Sequence, residues 1–313
     1  MKMNVVLDSL KHNLGPVVNQ ALDDDNVIEV MLNPDGRLWL DTFDKGMIEV
    51  STISKSSASG ILSQVASMLG VIVTKDSPVV EGELPIDGSR FEGLFPPIVA
   101  NPTFTIRKKA INIFTLDNYV QSGIMSPDQQ QMICNAIANK KNILVVGGTG
   151  SGKTTLTNAI LAELANIAGD ERLVIIEDTN ELQCLSKNKV MLRTNLNTNM
   201  RHLLKATMRL RPDRIVVGEV RGGEALDLLK AWNTGHPGGV CTVHANSCAG
   251  GLVRLQQLIA EVVPNPMDDL IQEAVDLVIF IKRTKEGRKI EDIAEIGNDC
   301  GLQSEGQKLR ILK

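Results

Sequence analysis

The sequence predicts an α/β protein: a C-terminal unit built on a mostly parallel central sheet, preceded by a smaller α+β unit. Three observations carry that expectation. From residue 140 onward, short and nearly continuous apolar runs alternate with helical periodicity, the pattern of strands covered on both faces. Before residue 110 the apolar runs instead flank turn signals, Asn33-Pro34-Asp35-Gly36 and Asp87-Gly88, as antiparallel hairpins do. A chain of 313 residues is also long for a single hydrophobic core.

Taken in order, Val5, Val6, Leu10, Leu14, Val17 and Val18 recur at helical spacing and predict a helix over 4–22. Strands at 27–31 and 37–40 flank the first turn. A helix over 56–69 ends at Gly70, strands at 79–85 and 90–95 flank the second turn, and a last strand covers 104–107. The first unit is thus expected over 1–110 and a linker over 111–125. Ser126-Pro127-Asp128, a helix-start signature, opens the second unit (126–313) with a helix at 127–139. Strands then follow at 143–146, 173–177, 190–193, 214–218, 239–243 and 277–282, with helices at 153–168, 200–210, 223–232, 250–262 and 266–275.

Composition is that of a globular protein, 43% hydrophobic and 22% charged. No apolar run approaches the ~18 residues of a membrane span, and the first residues lack a secretory apolar core. The cysteines at 134, 184, 241, 248 and 300 form no C-x-x-C pair, which points to reduced thiols in a cytosolic compartment. A net charge of -4 and 3% aromatics argue against a nucleic-acid coat protein or single-strand binder. Two basic runs, Arg107-Lys108-Lys109 and Lys282-Arg283…Arg288-Lys289, read as solvated faces. An anionic membrane surface or a partner subunit is the alternative for the second.

The chemistry centres on Gly147-Gly148-Thr149-Gly150-Ser151-Gly152-Lys153-Thr154, a complete G-x-x-x-x-G-K-[ST] phosphate loop between a buried-type strand and a helix. Its glycines let backbone N–H groups approach phosphate oxygens, and the following helix start, with Thr155, adds partial positive charge. Lys153 is the side chain for the β- and γ-phosphates, and the Thr154 hydroxyl is a ligand for Mg²⁺. A nucleoside triphosphate site follows.

In open parallel sheets ligands bind beyond the carboxyl ends of the strands. Predicted strands end in Glu177-Asp178, with Glu181 close behind, in Glu219, and in His244. Hydrolysis of a γ-phosphate needs a metal, a group that orients water, and positive charge, so Glu219 and Glu177 are the leading candidates. His244, with His236 in the same Gly-rich segment, is a candidate γ-phosphate sensor. Arg209 and Arg211 end a helix just before the Glu219 strand, where arginine has an electrostatic reason to sit without any catalytic role. From spacing alone, Arg90 and Arg107 read as surface residues.

Four motifs in order, GGTGSGKT (147–154), IIEDTNEL (175–182), MRLRPDRIVVGEVRGGEA (208–225) and TGHPGGVCTVHANS (234–247), make the chain resemble the type II/type IV secretion traffic ATPases. The likeness is greatest to their conjugal-transfer branch. It covers residues 125–285 firmly, and the first unit more loosely through LPIDGSRFEGLFPP (84–97) and FTIRKKA (104–110). The resemblance implies a RecA-like second unit, ATP as the nucleotide, a hexameric ring, and attachment to the cytoplasmic face of the inner membrane with secretion or pilus components. It further implies an acidic box at 177–181, an atypical Walker B carboxylate at Glu219 holding the metal with Thr154, and a His box at His236 and His244. Arg90, Arg107 or Arg209 would supply charge to the γ-phosphate. The departure from ordinary phosphate-loop enzymes is glutamate in place of aspartate at the second carboxylate, which leaves open whether Glu219 or Glu177 activates water.

The function expected is an ATP-hydrolysing ring motor for type IV secretion, conjugation or pilus biogenesis. The alternatives are a pilus-retraction motor of the same superfamily and a nucleotide-gated docking scaffold with little hydrolysis.

Overall fold

The computed structural model describes residues 2–42, 44–108, 114–195, 197–284, 287–296 and 310–311. The chain divides into two compact units, Met1–Ile111 and Asn112–Lys313.

The first unit contains α1 (Lys2–Asp23), β1 (Val27–Leu32), β2 (Arg37–Thr42), β3 (Gly46–Thr52), α2 (Lys55–Leu69), β4 (Val79–Glu83), β5 (Arg90–Leu94) and β6 (Thr103–Arg107). Its six strands form an antiparallel sheet in the order β3-β2-β1-β6-β5-β4. Alternate residues of the inner strands turn to one face, where Val30, Phe91, Phe104 and Ile106 meet Leu10, Leu14, Leu62 and Val65 of the helices. The Phe91 and Phe104 rings stack with centroids 5.8 Å apart.

Two local features differ from expectation. The predicted continuous helix over 4–22 is broken at Gly15 (φ 77, ψ 170), directly before Pro16. Proline offers no N–H and its ring crowds the carbonyl four residues back, and glycine is the residue that takes a positive φ most cheaply. Strand β3 has no counterpart among the predicted elements, because an edge strand with exposed Met47 and Val50 carries no clean alternation.

The second unit runs α3 (Leu116–Gln121), α4 (Pro127–Ala138), β7 (Ile143–Val146), α5 (Lys153–Ile167), β8 (Leu173–Glu177), β9 (Lys189–Arg193), α6 (Met200–Thr207) and β10 (Arg214–Val217). It continues through α7 (Glu224–Asn233), β11 (Val240–Val243), α8 (Cys248–Ala260), α9 (Asp268–Ala274), β12 (Leu277–Thr284), β13 (Gly287–Glu295) and β14 (Arg310–Ile311). The sheet order is β14-β13-β12-β7-β11-β10-β8-β9, parallel from β12 to β9 and antiparallel at β13 and β14. Every residue of β7, β8, β10 and β11 is buried, as two-sided coverage requires. One face packs on α6, α7, α8 and α9, the other on α3, α4 and α5.

Much of the expected linker is not a linker. Thr115 and Asn118 form a capping box that starts α3, and Leu116 and Tyr119 are buried in the core of the second unit. The start of the expected linker, residues 111–113, lies outside the described residues, as do 109 and 110 before it. Strand β13 was also not predicted, since its sequence is dominated by charge and only Ile290, Ile293 and Ala294 turn inward. Among the described residues the four cysteines are free, and Cys300 lies outside them. No helix among them is long and apolar enough to cross a membrane.

Candidate nucleotide site

The carboxyl ends of β7, β8, β10 and β11 share one edge of the parallel sheet, and most of the predicted site residues gather there. The loop from β7 reaches α5 through Gly150 (φ 69) and Gly152 (φ 99), both in the left-handed region glycine tolerates. Gly147 cannot carry a side chain: a Cβ would lie 2.4 Å from both the Ile281 carbonyl and Ser151 Oγ. Thr149 is exposed at the rim and Ser151 is buried, its Oγ without a partner among the described residues. The loop amides stand at the N-terminus of a 15-residue helix, a ready site for anionic oxygen.

Lys153 opens α5 and is buried, its Nζ donating to the carbonyls of Gly147 (3.0 Å) and Gly148 (3.1 Å). The same nitrogen lies 3.3 Å from His244 Nδ1. Burial, with help from the Lys153 ammonium, lowers the His244 pKa, and the neighbouring Glu219 opposes that shift. A neutral imidazole accepts from Lys153 through Nδ1 and directs its Nε2–H toward Glu219, whose Oε1 lies 2.7 Å away. Glu219 Oε2 is gripped by Arg221, at 2.7 Å from Nε and 2.6 Å from the terminal nitrogen. Glu219 Oε1, buried, accepts no well-aligned hydrogen bond. Arg221 also reaches Asp178 at 3.5 Å.

Glu177 ends β8 and is 3% exposed. Its Oε2 accepts from the amides of Glu181 and Leu182, both at 2.9 Å, and its Oε1 has no hydrogen-bond partner among the described residues. Burial pushes its carboxyl up to about 7 despite those two amides. Gly218 leaves room for it, since a Cβ there would stand 3.1 Å from the Glu177 Cβ. The turn thus held brings Glu181 Oε2 to the Thr154 hydroxyl at 3.3 Å. Glu181 is therefore the carboxylate on the Thr154 hydroxyl, beside the pair Thr154 and Glu219 expected from sequence.

A divalent cation fits these groups in the manner of Mg²⁺, which keeps few protein ligands and fills its shell with phosphate and water. A hydroxyl with a carboxylate already on it suits such an ion. Among the described residues no cluster of three or more His, Cys, Asp or Glu would hold a metal alone.

Residues 12–296 match the family described as Type II/IV secretion system protein. The chain belongs to that family. It is 51% identical over 287 residues to the probable conjugal transfer protein TrbB of Sinorhizobium fredii, covering 92% of this chain and 88% of that protein. Among solved structures it resembles the VirB11 ATPase of the Brucella suis type IV secretion system, crystallised with sulphate. That match has 25% identity and a TM-score of 0.50, over 94% of this chain and 96% of that one. The pilus retraction motor PilT with bound ADP shares the fold, at 18% identity and a TM-score of 0.64, over 89% of this chain and 80% of that one.

Within this secretion ATPase, two expected groups lie elsewhere. His236 precedes β11, its Nδ1 3.0 Å from the Pro212 carbonyl, at the amino edge of the sheet, while His244 follows β11 at the carboxyl edge. The two histidines are separated by the strand, and only His244 belongs to the cradle. Arg209 is exposed in the turn after α6, before β10 begins, again at the amino edge. The cradle does not include it. Arg211 sits in the same turn with φ 52. Arg90 and Arg107 belong to the first unit, where they are direct cross-strand partners in a row Glu83–Arg90–Arg107–Glu29. Arg107 pairs with Glu29 at 3.5 Å.

Sequence reasoning missed Arg221, Asn158 and Glu224. Asn158 holds the acidic turn from α5, donating to the Glu181 carbonyl (3.1 Å) and accepting from the Gln183 amide (2.8 Å). A polar residue on the apolar face of a helix was the available signal. Glu224 accepts from the Arg221 and Gly222 amides and so fixes the turn after Glu219.

Proposed function

We propose that this chain is a Mg²⁺-dependent ATP hydrolase acting as a ring-forming motor for type IV secretion or conjugative transfer. The observation that carries the reading is the linked series Lys153–His244–Glu219–Arg221, which joins a phosphate-loop ammonium through an imidazole to a carboxylate at the strand end. Lys153 and the loop amides hold the β- and γ-phosphates. Glu219 orients water toward the γ-phosphorus, and neutral His244 reports whether the γ-phosphate is present through its contact with Lys153. Glu177 acts by position, shaping the turn that carries Glu181 to Thr154. When bound, the metal at Thr154 and Glu181 neutralises phosphate charge.

Arg90 and Arg107 are assigned to phosphate charge on the family resemblance. The two stand directly opposite each other across β5 and β6, in a row flanked by Glu83 and Glu29. Assembly into a hexamer and attachment to the cytoplasmic face of the inner membrane rest on the same resemblance and on the named relatives. Arg209, remote from its own cradle, would act only across a subunit boundary.

Steady-state phosphate release by the purified chain, with Mg²⁺ and with EDTA, tests the reading. Magnesium-dependent turnover lost in Glu219→Gln, with nucleotide binding kept, is the expected result. A chain that binds ATP yet hydrolyses nothing under any condition would be the docking scaffold instead.

A further inference from the structure

The hairpin β12–β13 overhangs the phosphate loop on the side away from β11. Strand β12 pairs with β7 only as far as Phe280↔Val146, so residues from Ile281 onward pass beyond the carboxyl edge of β7 and turn back into β13. The hairpin touches the cradle at two points. The Ile281 carbonyl lies against Gly147, and the stem of Arg288 lies against Gly152, where a Cβ would stand 2.9 Å from Arg288 Cδ and 3.2 Å from Nε.

Sequence reasoning placed Arg288 on a solvated basic face, but the side chain is half-buried and turned inward. Its Nε is shielded from solvent and has no hydrogen-bond partner among the described residues. A buried donor left unpaired costs about 1–3 kcal/mol, so it calls for an explanation. The described neighbours do not supply one. Its cross-strand partner is Arg283, a like charge, and the adjacent Lys282 already spends its charge on Glu291 at 2.8 Å. The phenol of Tyr119, buried beside α5, also feels the Arg288 charge.

Direction along the cradle completes the argument. His244, Glu219, Arg221 and Glu181 all stand on the β11, β10 and β8 side of the loop, the side given to the γ-phosphate in the reading above. A phosphate chain threaded through the loop leaves its α-phosphate and sugar toward the other side, where Arg288 lies.

We infer that Arg288 is a nucleotide-binding residue, its guanidinium holding the α-phosphate and ribose end of a nucleoside 5′-di- or triphosphate bound in the same subunit. The inference rests on the phosphate-loop reading above. Since that end is common to ADP and ATP, the contact contributes equally to both and adds to binding more than to the chemical step.

Calorimetric titration of the full chain with Mg-ADP and with a non-hydrolysable Mg-ATP analogue, alongside phosphate-release kinetics, tests it. Arg288→Ala is expected to weaken both ligands alike by about 10-fold or more, the size of a lost charge-assisted hydrogen bond. KM should rise correspondingly and kcat fall much less. Arg288→Lys, which keeps the charge and loses the fork, should fall between and guards against a folding defect in the alanine variant. Unchanged ADP affinity in both variants overturns the inference, and so does a loss confined to the ATP analogue. If the unaltered chain binds neither ligand, the phosphate-loop reading fails with it. Binding abolished by Lys153→Ala, with ADP affinity unmoved by Arg288→Ala, sinks only the role given to Arg288.

Discussion

Lys153 and Glu219 make opposite demands on a test, and their variants should separate binding from chemistry. Lys153→Ala removes the ammonium that bridges the loop carbonyls and His244, so nucleotide affinity and turnover should vanish together. Stability should drop by only about 1 kcal/mol, the net worth of ordinary hydrogen bonds, as thermal melting would reveal. Glu219→Gln keeps the shape but weakens the acceptor, so kcat should fall about 10²- to 10³-fold with ADP affinity retained. Glu177 has a pH signature of its own. Its carboxyl rises from an ordinary 4.5 to about 7 through burial, so its contribution to stability is complete below pH 4.5 and fades as pH climbs through 7. Relative to Glu177→Gln, which stays neutral, the unaltered chain should lose about 3 kcal/mol between pH 4.5 and 8 in urea titrations. A constant difference across that range would show that the buried carboxyl does not hold its proton as described.

The elements that carry these residues depend on close approaches at the opposite edge of the sheet. A Cβ on Gly239 would meet Trp232 Nε1 at 2.1 Å and the Ile215 carbonyl at 2.2 Å, two groups already hydrogen-bonded to each other. Gly239→Ala should therefore cost about 3 kcal/mol or more by forcing α7 off β10 and β11, measured as a shift in the urea midpoint. Arg214, buried at the start of β10, binds the Gly238 and Ile137 carbonyls and Glu171. Its role is to satisfy a carbonyl at the end of α4 and another just before β11, far from the cradle. Elements with strong apolar periodicity were legible in the sequence: β7, β8, β10 and β11 fall where their unbroken apolar runs put them. Strand β3 was not, because an edge strand has one side without partners and needs no apolar signature, and neither was β13, whose sequence is dominated by charge. The break at Gly15 could have been read from Gly15-Pro16, a pair that interrupts helical hydrogen bonding wherever it falls.

For the whole molecule, the decisive measurement is mass in solution by light scattering, with and without a non-hydrolysable ATP analogue. Six-fold assembly, or assembly promoted by nucleotide, is expected of a ring motor. A monomer under both conditions would remove any role for Arg209, whose place at the amino edge leaves it only a neighbouring subunit to serve. Acting as a motor also requires that ATP bind one conformation better than another, by no more than the differential contacts of its phosphate end allow.

Sequence alone determined the phosphate loop, the alternation of strands and helices around it, and the candidate carboxylates at strand ends. Each of these is written in neighbouring residues, through glycine spacing or local apolar period. Tertiary structure decided which distant side chains meet. It parted His236 from His244 by the length of a strand, gave Thr154 to Glu181, clamped Glu219 with Arg221, and turned Arg288 inward against Gly152. The physical reason is that sheet order and strand direction, which no local pattern encodes, set which edge each residue occupies.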